Sequence, residues 1–320
     1  MRIGLLNNLR AGQNTDRVSD LLASLSRFPE VSHIETSSAA AVPEALWDLA
    51  AREVELLIVN GGDGTLQTVL SEILGRRALD GRVPLLAPLR GGRTNMGALD
   101  LGVQRNSIRA LAQLVEAARA GRLEERITER RVLRIEYSLQ AGVHYGMFLG
   151  AGTIYRATQL VQRIFPRGRA QGVFGGTLVT AGLLGRLAMA RNPGEILSPD
   201  KARVLVDAEP LKGDEFTLLM ATCLDRLFAR MRPFWGRGEG GVQFTAIAKG
   251  AEQLWRAIPG ILAGRPGTSA SEEKGYTSRR ASCVELDMSC GFTLDGELLE
   301  PAPRGTVLVT ATDPIRFVRA

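Results

Sequence analysis

The sequence predicts an α/β N-terminal domain built on a largely parallel sheet, joined to a strand-rich, β-sandwich-like second domain. Three observations predict it. Apolar strand-like runs alternate with amphipathic helical stretches as far as Ala120. The string Gly61-Gly62-Asp63-Gly64-Thr65 joins one such strand directly to one such helix. From Ile127 onward the helical period gives way to short alternating segments. The expected domains are therefore residues 1–126 and 127–312, with the tail 313–320 packing back on the first and the cleft between domains as the expected site.

In chain order, Ile3 to Leu6 is a first strand, too short in apolar character for an export signal. Val18, Leu21, Leu22 and Leu25 recur with the helical period, and His33 to Thr36 is a short strand. Pro43 opens a helix carrying Leu46 and Leu49, because proline is tolerated where a helix begins. Val54-Glu55-Leu56-Leu57-Ile58-Val59 reads as a buried strand leading to the glycine string. The helix after the glycine string carries Leu66, Val69, Leu70, Ile73 and Leu74, spaced i, i+3, i+4, i+7 and i+8. A strand around Pro84 to Ala87 follows, then a helix from Ser107 to Ala120 closed by Gly121.

In the second domain, strands are expected at 132–137, 203–206, 216–220, 242–247 and 307–311, interrupted by helices at 154–164 and 173–190. The 173–190 stretch holds glycines and Arg186, which suits a buried or interfacial helix better than a membrane span. The Gly-, Ser- and charge-rich stretch 264–280 is expected to be a mobile loop.

The glycine string places backbone N–H groups without helical partners at a helix N-terminus, where the dipole favours an anion. Glycine lets a phosphate approach the backbone closely. Asp63 among these glycines would repel phosphate unless a divalent cation lay between them, so it reads as a Mg²⁺ or Mg-nucleotide group. The same string also reads as a tight strand-to-helix turn with Asp63 or Thr65 as a cap.

Composition narrows the classes. The apolar and charged fractions, 45% and 23%, are those of an ordinary globular protein. The net charge of +6 comes from scattered arginines without a dense basic block, which argues against nucleic acid. Cys223, Cys283 and Cys290 fit neither a disulfide framework nor a CxxC metal site. With only His33 and His144 available, zinc is not expected and a general base is expected to be a carboxylate.

The glycine string and its preceding apolar strand resemble the nucleotide-binding signature of the diacylglycerol kinase catalytic-domain family, which includes bacterial lipid kinases and sphingosine kinases. NAD kinases and phosphofructokinases share the five residues. Asn8-Leu9-Arg10-Ala11-Gly12 resembles that family's opening Asn-Pro-x-Ser/Ala-Gly turn, with Leu9 in place of proline. Pro88 to Asn95 resembles its Pro-x-Gly-Thr-x-Asn loop: Gly92 and Asn95 match, Arg93 replaces threonine and Met96 the frequent aspartate. Arg93 reads equally as a phosphate partner or a solvated charge. Gln67-Thr68 replaces the usual Asn-Glu, and Gly238-Glu239-Gly240 is the nearest counterpart of an acidic Asp-Asp-Gly segment. Phe148 to Gly152 resembles the segment opening the second domain.

By itself Asp295-Gly296-Glu297 is a hairpin turn. The resemblance implies Glu297 as the base toward a lipid hydroxyl, with Asp295 supporting it or linked to a metal. It likewise implies nucleotide contacts from Asn8, Gly12, Gly61, Gly62, Gly64, Thr65, Gly92, Thr94 and Asn95. ATP and Mg²⁺ are the implied cofactors, and the implied partner is a lipid substrate at a membrane surface. The implied activity is ATP-dependent phosphorylation of a lipid alcohol such as diacylglycerol. An NAD kinase and a degenerate nucleotide- or lipid-binding module are the alternatives. A cytoplasmic protein, peripheral to the membrane, is expected, and a homodimer is left open.

Overall fold

The computed structural model describes residues 1–12, 18–79, 81–92, 94–137, 142–164, 196–301 and 305–320. Two compact units divide them: Met1–Arg130 with Pro314–Ala320, and the described residues between 131 and 313. The helix expected at 173–190 lies outside the described residues, as does Arg93.

In the first unit, strands β1 (Ile3–Asn8), β2 (Val31–Thr36), β3 (Leu56–Gly61), β4 (Leu85–Arg90) and β5 (Ile127–Arg130) alternate with helices α1 (Val18–Leu25), α2 (Val42–Ala51), α3 (Asp63–Leu70), α4 (Met96–Asp100) and α5 (Ser107–Arg119). The sheet runs β2-β1-β3-β4, then the C-terminal strand Ile315–Val318, then β5. The first four strands are parallel, the C-terminal strand is parallel to β4, and β5 closes the edge antiparallel. β3 is buried at every position, as a parallel strand covered on both faces requires. Pro43 stands in the first turn of α2, and the Asn106 side chain caps α5 by accepting from the amides of Ile108 and Arg109.

Two helical stripes shift phase from the expected one. In α1, Leu22 faces outward while Leu21 and Ser24, with Phe28 just beyond the helix, form the buried row. So short a helix takes its rotation from its neighbour, and Arg119 of α5 covers the Phe28 ring at 5.2 Å. α3 continues into a π-helical turn, Ser71–Gly75, whose extra residue per turn buries Glu72 beside Ile73 and leaves Leu74 only partly covered. The buried Glu72 carboxylate accepts from Arg76 at 2.8 Å.

The second unit holds β6 (Leu133–Glu136), β7 (Val143–Gly146), β8 (Phe148–Gly152), α6 (Thr153–Ile164), β9 (Asp200–Val206), β10 (Glu209–Pro210), β11 (Glu215–Thr222), β12 (Val242–Ala248), α7 (Leu254–Leu262), β13 (Tyr276–Ala281), β14 (Cys283–Met288), β15 (Phe292–Leu294), β16 (Glu297–Leu299) and β17 (Thr306–Ala311). Hydrogen bonds connect them in the order β16-β15-β8-β11-β9-β14-β17-β6-β7, with β12 beside β11 and β13, and β10 beside β9. Every pairing is antiparallel. β9 makes the corner of the sandwich: Asp200 and Lys201 pair with β11, whereas Ala202 to Val206 pair with β14. Leu149, Phe244 and Phe292 from one half then share a core with Ile135, Leu286 and Val309 from the other.

The stretch 264–280 is not the expected mobile loop. It forms two 3-10 turns, Gly267–Ser269 and Glu272–Lys274, and then β13, whose backbone pairs with β12. Composition misleads here because Tyr276–Ala281 mixes a partly buried Arg279 and an exposed Arg280 with a buried tyrosine, as an edge strand can.

Candidate functional site

Gly61 ends β3 and Gly62, in extended conformation, begins α3. No side chain caps this helix, and the first helical bond runs from Leu66 N to Gly62 O at 3.1 Å. The amides of the first turn are therefore left for an external acceptor. Gly64 is exposed, and a Cβ placed on it meets nothing within 4 Å. A ligand atom can rest against its backbone.

The loop after β4 leans on this turn. Gly91 N donates to Gly61 O at 3.1 Å, and a Cβ on Gly92 would lie 2.2 Å from the Gly62 Cα. Asn95 holds the loop closed: its Oδ1 accepts from Gly92 N at 2.8 Å and its Nδ2 donates to Gly92 O at 2.7 Å. It is buried with φ of 53°, the left-handed region that asparagine tolerates better than most residues. Thr94, part-exposed, sits between them.

From the end of β1, Asn8 Nδ2 donates to Thr65 Oγ1 at 2.8 Å, while Asn8 Oδ1 accepts from Arg10 N at 3.0 Å. Asn8 thus ties the first turn, which continues through Ala11 to Gly12, to the glycine string. One residue earlier on each strand, Asn60 Nδ2 donates to Asn7 Oδ1 at 2.9 Å, a buried link that joins the ends of β1 and β3. Thus Asn8, Gly61, Gly62, Gly64, Thr65, Gly92, Thr94 and Asn95 gather at the C-terminal ends of β1, β3 and β4, where open parallel sheets hold ligands.

Asp63, half-buried, turns toward α4, and its Oδ1 accepts from Gly97 N at 3.1 Å. Burial pushes its carboxyl above the usual carboxylate range, with the amides of Met96, Gly97 and Asn95 working against that rise. Sequence reading missed the Gly97 amide, since nothing in spacing connects positions 34 residues apart. Among the described residues no three His, Cys, Asp or Glu side chains cluster as a metal cage.

In the second unit, Asp295 and Gly296 form the turn of the β15–β16 hairpin, with φ of 50° and 89°. The Asp295 carboxylate accepts from both Met147 N (2.8 Å) and Phe148 N (2.9 Å), and its own amide donates to Phe148 O at 2.9 Å. Asp295 therefore clamps the hairpin to the start of β8. Gln162 of α6 adds a donation to Gly296 O at 2.9 Å. Glu297 is exposed, and its carboxylate makes no hydrogen bond or ion pair among the described residues. Beside it, Tyr137 is raised above the ordinary phenol range by burial and then by the Glu297 charge, and its ring contacts His144 and Phe292, each at 5.2 Å. The sequence carries no signal for Met147, Gln162 or Tyr137, whose roles depend on tertiary neighbours.

Among solved structures, a proposed diacylglycerol kinase of Bacillus anthracis str. Sterne is 18% identical, with a TM-score of 0.70 over 100% of this chain and 95% of that one. Another structure, described as a diacylglycerol kinase of the same organism, is 17% identical with a TM-score of 0.61, covering 100% and 97%. At such identities the likeness is one of fold: an α/β unit with a mostly parallel sheet and an antiparallel strand-rich unit. No curated protein matches the chain by sequence. Residues 2–123, which contain the Asn8 turn, the glycine string and the Asn95 loop, match the diacylglycerol kinase catalytic domain, the family that the sequence resembles.

Proposed function

We propose that this protein is an ATP-dependent lipid kinase that transfers the γ-phosphate to a hydroxyl of diacylglycerol or a related lipid. The observation that carries the reading is the uncapped start of α3, with open backbone at Gly64, inside the segment that matches the catalytic domain.

These residues fit a magnesium nucleotide. The first-turn amides and Thr65 supply donors for phosphate oxygens, and Gly64 leaves room for close approach. Thr94, in the loop that Asn95 holds closed, and Gly12, at the end of the turn that Asn8 opens, are further candidate contacts. Asp63 is the carboxylate that would hold Mg²⁺, and the cation would offset the burial that disfavours its charge. Bound Mg-ATP supplies an electrophilic γ-phosphoryl group and ADP as the leaving group. Glu297, exposed and uncommitted, accepts the proton of the lipid hydroxyl as its oxygen bonds to phosphorus. Asp295 holds the hairpin that presents Glu297.

The test is transfer of labelled γ-phosphate from Mg-ATP to lipid micelles and, separately, to NAD. Labelled lipid from wild type, and little from folded Asp63→Asn or Glu297→Gln, supports the assignment. Labelled NAD without labelled lipid replaces it with an NAD kinase. No transfer at all, with nucleotide bound, leaves a binding module.

A further inference from the structure

The two faces of α7 have different surroundings. Leu254, Ala257 and Ile261 turn inward and pack with Trp235, Ile247 and Tyr276. Trp255, Pro259 and Leu262, spaced i, i+4 and i+7, line the opposite side. Trp255 is 52% and Leu262 38% exposed, and Pro259 between them is exposed as well. Most large apolar side chains of this unit are buried, so an indole and a leucine outward on one short helix form an exposed apolar face.

Arginines frame that face. Arg256 lies on the next row of the helix. Arg265 and Arg232 are brought to its C-terminal end by backbone bonds, Arg265 N to Gly260 O and Arg232 N to Leu262 O, both 2.8 Å. No ion pair engages Arg232, Arg256 or Arg265 among the described residues. One acid, Glu252, precedes the helix. Unpaired guanidinium groups around an apolar stripe would be costly inside a protein–protein core, whereas at a bilayer their stems lie along the acyl boundary and their heads meet phosphates. Tryptophan favours the same boundary. At nine residues α7 is about 13 Å long, far short of the ~30 Å bilayer core, so it can only lie in the interface plane.

We infer that the outer face of α7, with Arg232, Arg256 and Arg265, docks this protein on an anionic lipid bilayer. The inference rests on the lipid-kinase reading for its purpose, yet docking is measured without turnover. The full chain is sedimented with phosphatidylcholine vesicles, with and without phosphatidylglycerol, at low and high salt. Wild type is expected to sediment with the anionic vesicles and to be released by salt. Partitioning is expected to fall about tenfold or more in Trp255→Glu/Leu262→Glu, and about fivefold in Arg256→Ala, the effect of one basic side chain near such a surface. Trp47→Glu, which changes a 67% exposed indole on α2, serves as the control and is expected to bind as wild type does. Circular dichroism of each variant, with the milder Trp255→Ala beside it, separates lost docking from lost folding.

Unchanged sedimentation of the folded double variant overturns the docking surface, and transfer of phosphate to micellar lipid in the same preparation shows that the kinase reading survives. Docking that depends on α7 without transfer to any lipid supports the surface and overturns the kinase. A dimer dispersed by Leu262→Glu, with vesicle binding unaltered, assigns the face to a second copy of the chain and overturns the proposal.

Discussion

Gly62 and Gly92 meet backbone to backbone: a Cβ on Gly92 would stand 2.2 Å from the Gly62 Cα, closer than any two carbon atoms can pack. The loop after β4 can therefore rest on the glycine string only while position 92 has no side chain. Gly64, two residues further along that string, faces open space instead.

These positions predict opposite defects. Gly92→Ala must push backbone against backbone, and overpacking of this kind costs about 1–3 kcal/mol. Gly64→Ala should melt close to wild type, yet weaken ATP binding by tenfold or more, because its methyl group occupies the open approach. Thermal melts and an ATP titration on both variants check this. Loss of stability without loss of affinity in Gly64→Ala would reverse the reading.

Asp295 and Glu297 should separate in the same way. Asp295→Ala leaves the amides of Met147 and Phe148 without their carboxylate, and bonds to a charged group contribute about 1.5–3 kcal/mol each. Glu297→Gln breaks no bond among the described residues and should leave the melting temperature unchanged while turnover falls about 10²–10⁴-fold. Chemical denaturation beside a transfer assay distinguishes the clamp from the base.

The Asp63 carboxyl predicts a pH dependence. Its folded pKa lies above the unfolded one, so the stability it contributes is full below the unfolded value and is lost as pH rises through the folded value. Asp63→Asn keeps an oxygen for the Gly97 amide but has no charge to desolvate. Without nucleotide, its melting temperature should gain on wild type as pH rises above the ordinary carboxylate range of about 4. Adding Mg-ATP near neutrality should restore the advantage to wild type, since only the carboxylate serves the cation. A pH-independent gap between the two proteins would remove burial as the cause.

The thiols are predicted to be sluggish. Burial pushes Cys223 up to about 12 and Cys290 to about 11, and raises Cys283 as well. At pH about 8 the thiolate of Cys223 is then about one part in ten thousand, and that of Cys290 about one in a thousand. Alkylation followed by peptide mass spectrometry should find Cys223 the slowest of the two in the folded protein, and both should react much faster after unfolding. Rapid alkylation of folded Cys223 would mean its pocket opens.

Much of the first unit is legible in sequence because its signals are local. β3 is a continuous apolar run, Pro43 marks a helix start, and the glycine string lies between a strand and a helix within a few residues. The phases of α1 and α3 were not legible, since a packing partner and a π-turn rotate them. Nor was β13, whose arginines resemble those of a solvated loop until β12 pairs with it. At the candidate site, residue types pointed to Asp63 and to the Asn95 loop, but not to the bond between Asp63 and the Gly97 amide.

By itself the sequence determined the alternation of strands and helices in the first unit, the parallel character of its sheet and the positions of its glycine turns, because side-chain period and backbone freedom act over a few neighbouring residues; the helix Leu254–Leu262 and the strands β13 and β14 were not anticipated. Tertiary structure alone decided which turns meet. It brought Gly92 onto Gly62 and Asn8 onto Thr65, committed Asp295 to the amides of Met147 and Phe148, and left Glu297 uncommitted. Those outcomes depend on contacts between residues remote in the chain, where burial and hydrogen-bond partners, not residue type, set what each group can do.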